Sequence, residues 1–153
     1  MLKASGWKVA PFVHGKPLTA QHCFAIEEYP TAAGPADYAL CAHGQIIGIV
    51  EAKKLSLGPQ NVLVQAERYS KGLEHLGVRF GEFGVPFLYS TNGDVIWHHD
   101  VRHDLNRSRQ IARFHTPEAL SEMLQRDFDE SLRHLQALPN KSVRLRPYQD
   151  PER

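Results

Sequence analysis

The sequence predicts an α/β domain in which a mixed β-sheet is flanked by helices. Three observations lead there. Residues 38–42 and 46–50 are short apolar runs around the polar turn His43-Gly44-Gln45, the pattern of a hairpin buried on both faces. Residues 86–90 and 94–98 are a second pair of strand-like runs around Asn92-Gly93, the strongest short-range hairpin signal. Between the pairs, residues 62–76 carry a partly helical apolar pattern, so one helix crosses from the first hairpin to the second. At 153 residues the chain is long enough for one domain with a continuous core.

Taken in order, residues 2–9 read as the tail of a helix or a short strand leading to Pro11, and residues 30–35 as a turn-rich connector. The first hairpin carries a register commitment. If its turn takes three residues with Gly44 in the left-handed region, Ala42 pairs with Ile46 and Asp37 falls opposite Glu51. Alternation then puts Glu51 and Lys53 on one face with Ile47 and Ile49. Residues 55–61 read as a loop, with Asn61 as the N-cap of the following helix. Residues 77–84 form a glycine-punctuated loop. Tyr38, Leu40, Ile47, Ile49, Phe87 and Ile96 are expected in the core. Thr116-Pro117-Glu118 is a strong helix start, with Thr116 as N-cap and Pro117 in the first turn. That helix is expected to run to about Leu138, its stripe of Leu120, Met123, Leu124, Phe128, Leu132 and Leu135 docking on the domain. Residues 141–149 are polar and basic, consistent with a flexible tail.

The chemistry concentrates at the outer end of the first hairpin. Two carboxylates brought together there, Asp37 and Glu51, repel unless something positive lies between them. Mg2+ takes one or two carboxylates together with water and substrate phosphate, and Lys53 is placed to meet an anionic substrate or an attacking water. The bland alternative is a pair of polar strand ends. Gln65 and Tyr69, four apart on the helix, project from one side of a turn and could hydrogen-bond or stack on a nucleotide; equally, they could be an ordinary buried tyrosine with a glutamine neighbour. Glu27 and Glu28 read as a solvated loop or strand edge. His98 and His99 point to opposite faces of a strand and so do not both ligate one ion, which leaves a polar strand end as the better reading of His98, His99 and His103. Arg102, Arg107, Arg109 and Arg113 form a basic stretch that suits DNA phosphates or a solvated loop equally well.

The formal net charge of +1 is not that of a free-standing nucleic-acid binder, so a DNA substrate would need a local patch or a larger assembly. Cys23 and Cys41 have neither metal nor redox spacing and read as reduced thiols. No apolar run approaches a membrane span and nothing at the N-terminus reads as a secretion signal; the expected location is cytoplasmic.

Asp37, Glu51 and Lys53, with Pro35 close by, resemble the PD-(D/E)XK nuclease motif, and Gln65-Ala-Glu-Arg-Tyr69 resembles the Gln-x-x-x-Tyr element of one branch of those nucleases. That branch includes the nuclease domain of the type I restriction enzyme R (motor) subunit. Leu2-Lys-Ala-Ser-Gly-Trp7, Ala36-Asp-Tyr38, Glu51-Ala-Lys-Lys54 and Val85-Pro-Phe87…Thr91-Asn-Gly93 extend the likeness over nearly the whole chain. The resemblance implies a restriction-endonuclease-like sheet and Mg2+-dependent hydrolysis of double-stranded DNA. Asp37, Glu51 and the backbone carbonyl of Ala52 would hold the metal. Lys53 would orient water or neutralise developing charge, and Gln65 and Tyr69 would position substrate. It also implies methyltransferase and specificity subunits as partners. It implies as well an additional active-site acid on an upstream helix, which this chain starts too late to contain, so either the start is truncated or the site lacks that group. Leu145-Arg-Pro-Tyr-Gln149 resembles the opening of the ATP-dependent motor domain, so residues 1–139 are expected to be the nuclease domain and 140–153 a linker with the truncated start of the motor. ATP belongs to that absent motor, since no Gly-x-x-x-x-Gly-Lys-Ser/Thr loop is present. Two rival readings remain: a stand-alone nuclease of this fold in DNA repair or defence, and a nuclease-fold module that binds DNA or a partner without cutting.

Overall fold

The computed structural model describes residues 1–52, 59–73, 80–126 and 128–137. These build a seven-stranded mixed sheet whose spatial order follows the chain, β1 to β7. The strands are β1 (Lys8–Pro11), β2 (Phe24–Thr31), β3 (Gly34–Ala42), β4 (Gln45–Ala52), β5 (Phe87–Thr91), β6 (Ile96–Asp100) and β7 (Arg109–Ile111). The pairs β1–β2 and β4–β5 are parallel and the others antiparallel. The parallel β4–β5 pair is joined through helix α1 (Pro59–Lys71), because parallel neighbours need a crossover where antiparallel ones need only a turn. Helices α2 (Pro117–Gln125) and α3 (Phe128–Ala137) follow the sheet. The expected α/β mixed sheet with one helical crossover is the observed architecture.

Each face of the sheet has its own apolar layer. On one, Ile26, Ala39, Cys41, Ile49 and Leu88 pack with Ala66, Tyr69 and Leu73 of the α1 segment. On the other, Ala25, Leu40, Ile47, Val50, Phe87, Tyr89 and Ile96 pack with Leu2 and Trp7 from the N-terminus and with Phe114 and Leu120. The central strands are buried on both sides, which explains their near-continuous apolar sequences. Of the expected core, Leu40, Ile47, Ile49, Phe87 and Ile96 are buried, whereas Tyr38 is only half-buried against the second layer.

The first hairpin reaches its register by a different route from the expected one. His43 (φ 49°) and Gly44 (φ 77°) form a two-residue turn with Ala42 opposite Gln45, not Ile46. A bulge then intervenes: Cys41 pairs with Ile46 but Leu40 pairs with Gly48, leaving Ile47 as the extra residue. The one-residue offset that a longer turn would have supplied is supplied by the bulge, and Tyr38 pairs with Val50. Continuing by one residue puts Asp37 opposite Glu51. The bulge also corrects the facing of the isoleucines, since Ile47 belongs to the second layer and Ile49 to the first. Gly48 makes this possible. A Cβ there would lie 2.9 Å from the Phe87 carbonyl oxygen and 3.3 Å from Leu40 Cδ1, in space already filled.

Several boundaries differ from expectation. Residues 24–31 are a full strand, and the connector shrinks to the turn between Thr31 and Gly34, where the Thr31 hydroxyl donates to the Gly34 carbonyl and accepts from Ala33 N–H. Helix α1 starts at Pro59, so Asn61 lies inside it and is not its cap. The second hairpin closes through residues 92–95, Thr91 pairing with Ile96, because the Asn92 side chain accepts from Asp94 and Val95 N–H and holds a wider loop. Thr116 caps α2 as expected, its hydroxyl accepting from Ala119 N–H at 3.2 Å. The long C-terminal helix is broken at Arg126, which has extended backbone (ψ 125°). Arg126 N–H closes on the Met123 carbonyl and the Arg102 guanidinium donates to the same oxygen, so that carbonyl is already saturated where the helix would continue. Leu135, expected in the docking stripe, is exposed. The boundary expected at 139–140 lies outside the described residues.

Candidate functional site

Three adjacent strands bring carboxylates to one level of the sheet. Glu27 pairs with Tyr38 and Tyr29 with Ala36, so Glu28 stands across from Asp37 on the β2 side. The register of β3 with β4 places Glu51 on its other side. Asp37 Oδ2 accepts a hydrogen bond of 2.6 Å from Ala52 N–H, which ties the half-buried carboxylate to the end of β4. Asp37, Tyr38 and Ala52, with Glu27, Glu28, Pro11 and Phe12, line a cavity of about 580 Å³. A neighbouring cavity of about 370 Å³ shares Glu27, Tyr38 and Ala52 and reaches Thr91 and Phe114. The mouth of the β3–β4 pair is thus an open, oxygen-rich concavity.

Glu51 does not line the first cavity; it is 1% exposed, opposite Ser90 of β5. Lys53 lies outside the described residues. Gln65 and Tyr69 are on α1 as expected, one turn apart, and Gln65 Nε2 donates to the Tyr69 hydroxyl at 2.9 Å. Tyr69 is buried in the first apolar layer, under the β2–β3 turn where Gly34 approaches its ring. These two side chains engage each other and line neither of the cavities at the Asp37 mouth.

Electrostatics at the mouth are governed by the carboxylates. Burial, then the charges of Glu27 and Asp37, push the Tyr38 phenol above its ordinary range, so it remains a neutral hydrogen-bonding group. Among the described residues no group of three or more His, Cys, Asp or Glu side chains is placed to hold a metal ion. The residues that line the first cavity include three acids, Glu27, Glu28 and Asp37, beside the backbone of Ala52. Oxygen donors with open space around them fit a hard cation that keeps much of its water.

Glu27 and Glu28 are the site residues that sequence reasoning passed over. The signal was the short apolar run Phe24-Ala25-Ile26, ended by the two adjacent acids and by Pro30, which argues against a central strand. The break is real: Glu28 has φ 51° and is exposed, and Pro30 faces Pro35. The histidines behave as the strand argument requires. His98 is 2% exposed and faces the second layer, while His99 turns to the α1 side, its Nδ1 lying 3.7 Å from Glu67 Oε1.

Comparison with known proteins places the chain in a family. Residues 11–124 match the model of the family described as the second domain of the type I restriction enzyme EcoKI endonuclease subunit. The chain belongs to that family. The EcoKI endonuclease subunit of Escherichia coli (strain K12) is 31% identical over an alignment that takes in 65% of this chain and 12% of that protein. Among solved structures, a fragment of an HsdR subunit of a type I restriction enzyme from Vibrio vulnificus YJ016 superposes with a TM-score of 0.55 and 25% identity, covering 80% of this chain and 22% of that one. The chain therefore spans about an eighth of the EcoKI subunit and under a quarter of the Vibrio chain. The restriction-endonuclease-like α/β fold and the likeness to the type I R subunit, both expected from the motifs, are what these comparisons give. No helix among the described residues is long and apolar enough to cross a membrane.

Proposed function

We propose that this chain is the nuclease domain of a type I restriction R subunit and hydrolyses phosphodiester bonds of double-stranded DNA with Mg2+. The observation that carries the reading is the 2.6 Å hydrogen bond from Ala52 N–H to Asp37, which knits the acid of β3 to the end of β4, the strand that bears Glu51, within a chain of this family. Asp37, Glu51 and the Ala52 carbonyl would hold the metal. Bound there, Mg2+ would supply Lewis-acid polarisation of a phosphoryl oxygen. The chain's own residues do the rest. The β3–β4 register aligns the acids, Glu28 adds a third carboxylate beside them, and Lys53 orients the attacking water or offsets charge developing on the phosphate. Gln65 and Tyr69, joined to each other, would steady the substrate from α1. As part of an R subunit the domain would act beside methyltransferase and specificity subunits in the cytoplasm, with ATP used by a motor domain.

Two measurements test this. In calorimetric titration, Mg2+ binds the wild-type chain at millimolar concentration and Asp37→Asn weakens it about tenfold or more; absence of binding by the wild type overturns the reading. In a supercoiled-plasmid nicking assay with Mg2+, Glu51→Ala and Lys53→Ala each lower the rate by at least about a hundredfold, the scale on which loss of one charge-stabilising group acts. Unchanged nicking in both assigns the activity to a contaminant. A second reading has one observation in its favour: the burial of Glu51 suits a module that binds DNA or a partner without cutting, and Mg2+-independent DNA binding with no nicking would select it.

A further inference from the structure

At the other end of the sheet lies a second charged concavity that the proposed cutting site does not use. Strand β5 runs from Phe87, beside Asp100, to Thr91, beside Ala52, so the two regions stand about 13 Å apart along the strand direction alone. This cavity, of about 350 Å³, lies between the end of β6, the following loop and the C-terminal end of α2. Its lining includes His98, Asp100, Arg102, Arg107, Arg109 and Arg126.

The charge balance is lopsided. Among the described residues four guanidinium groups meet one carboxylate, and Arg102 already neutralises it: its Nε and Nη2 donate to the two Asp100 oxygens at 2.9 and 2.7 Å. Arg102 also donates to the Met123 carbonyl at the end of α2 and lies over the Phe87 ring at 5.0 Å. It is thereby committed to the wall. The Asp100 carboxylate and that helix-terminal carbonyl are both occupied by it. Among the described residues Arg107 donates only to backbone carbonyls of Asp104 and Asn106. Among the described residues no carboxylate pairs with Arg107, Arg109 or Arg126, and all three are exposed. In the floor, His98 is 2% exposed and its Nε2 has no hydrogen-bond partner, a cost that buried polar atoms seldom bear without a ligand or water to relieve it.

A concave site with three guanidinium groups that no described carboxylate pairs, and one buried imidazole nitrogen without a described hydrogen-bond partner, matches a small multivalent oxyanion. Guanidinium forks pair with phosphate oxygens in fixed geometry. We propose that this cavity binds a phosphate group, with Arg107, Arg109 and Arg126 supplying the charge and His98 Nε2 a hydrogen bond from the floor. The phosphate belongs either to a nucleic-acid backbone passing over the end of β6 or to a free phosphate species. The shared chemistry is the phosphate oxyanion, and the site is independent of Mg2+ and of Asp37.

Backbone amide chemical-shift mapping of the 153-residue chain, without Mg2+, tests the assignment. Inorganic phosphate, against chloride at equal ionic strength, is expected to give saturable shifts confined to residues 98–109 and 123–126. The double variant Arg109→Gln/Arg126→Gln weakens the response about tenfold or more while the melting temperature stays put, since both side chains are exposed. Arg113→Gln, equally basic and exposed but outside the cavity, leaves it unchanged. If a short DNA duplex shifts the same amides at lower concentration and the double variant abolishes this, the phosphate comes from a nucleic-acid backbone. If phosphate saturates and the duplex shifts nothing there, the ligand is a free phosphate species. Shifts that do not saturate, or an Arg113→Gln effect as large as that of the double variant, overturn the proposal. Because Asp37→Ala leaves this binding intact, failure here and failure of the cutting-site reading are separate results.

Discussion

Asp37 carries two duties that substitution can separate. Its Oδ2 takes the Ala52 N–H, and its charge belongs to the proposed metal site. Asp37→Asn keeps an acceptor oxygen, so stability should stay within about 0.5 kcal/mol of wild type. Asp37→Ala removes the acceptor and is expected to cost up to about 1 kcal/mol, limited because water reaches this half-buried position. Both variants should lose cleavage. Chemical denaturation of the two beside wild type checks the split, and an Ala variant that fails to fold would make Asp37 a structural residue instead. A second single-residue effect lies at His98. Burial first, then the nearby His115, pull its pKa down to about 3 from the ordinary 6.5. The unfolded chain therefore binds a proton between those values that the folded chain refuses. Stability from this group is complete above pH 6.5 and falls as pH drops toward 3, by at most about 1.4 kcal/mol per pH unit. His115, whose pKa is also lowered by burial and by Arg109, acts with the same sign. Denaturation midpoints between pH 7 and pH 4.5 should fall, and His98→Phe should flatten the slope.

The bulge at Ile47 shows how a strand pair carries its site. With Ile47 and Gly48 both on the second-layer side, only a residue without a side chain fits at position 48. Gly48→Ala drives a methyl into the Phe87 carbonyl and Leu40, and overpacking of this kind typically costs about 1–3 kcal/mol. We expect a lower melting temperature together with loss of Mg2+ affinity, because β4 carries Glu51 and Ala52 on the far side of the bulge; a neutral Gly48→Ala would mean that the β4–β5 pairing is slack. The same hairpin marks what sequence can and cannot disclose. Its two apolar runs, the loop at Asn92-Gly93 and the Thr116 cap were legible because each is a local signal with its own chemistry. The bulge was not, since a two-residue turn plus one extra residue and a three-residue turn give the same offset at Asp37. Strand β2 was hidden by Glu27-Glu28 and Pro30, residues that local propensity assigns to loops and that the neighbouring β1 and β3 override. The break at Arg126 depends on Arg102, far away in the chain, and no helical period encodes it. Of the site, the Asp37–Glu51 register was legible from alternation, whereas the depth of Glu51 and the proximity of Glu28 depend on how three strands stack.

At the scale of the whole molecule, the N-terminus closes the second layer and ties it to the end of the sheet. Trp7 is 2% exposed, packs with Leu2, Phe114 and Leu120, and its indole N–H donates 2.9 Å to the carbonyl of His115. His115 in turn meets the Tyr89 hydroxyl through Nδ1 at 2.8 Å, and its ring lies 4.7 Å from that of His98. One indole thus links the chain start, the approach to α2 and strands β5 and β6. That continuity predicts a global consequence from a local change. Trp7→Phe keeps much of the ring but orphans the His115 carbonyl, an expected loss of about 1–3 kcal/mol. Trp7→Ala adds a cavity and should cost about 3–5 kcal/mol, a large share of the roughly 5–15 kcal/mol that domains possess. The second tryptophan, Trp97 on β6, supplies an independent reporter. In urea, Trp97 fluorescence and far-ultraviolet circular dichroism should move together to lower midpoints in both variants, with the denaturant slope unchanged, because the surface exposed on unfolding is that of one cooperative unit. If the dichroism midpoint held while only fluorescence shifted, the N-terminal segment would be a strap laid on a finished domain, and the layer formed by Trp7, Phe114 and Leu120 would not be part of the core that holds β4 in place.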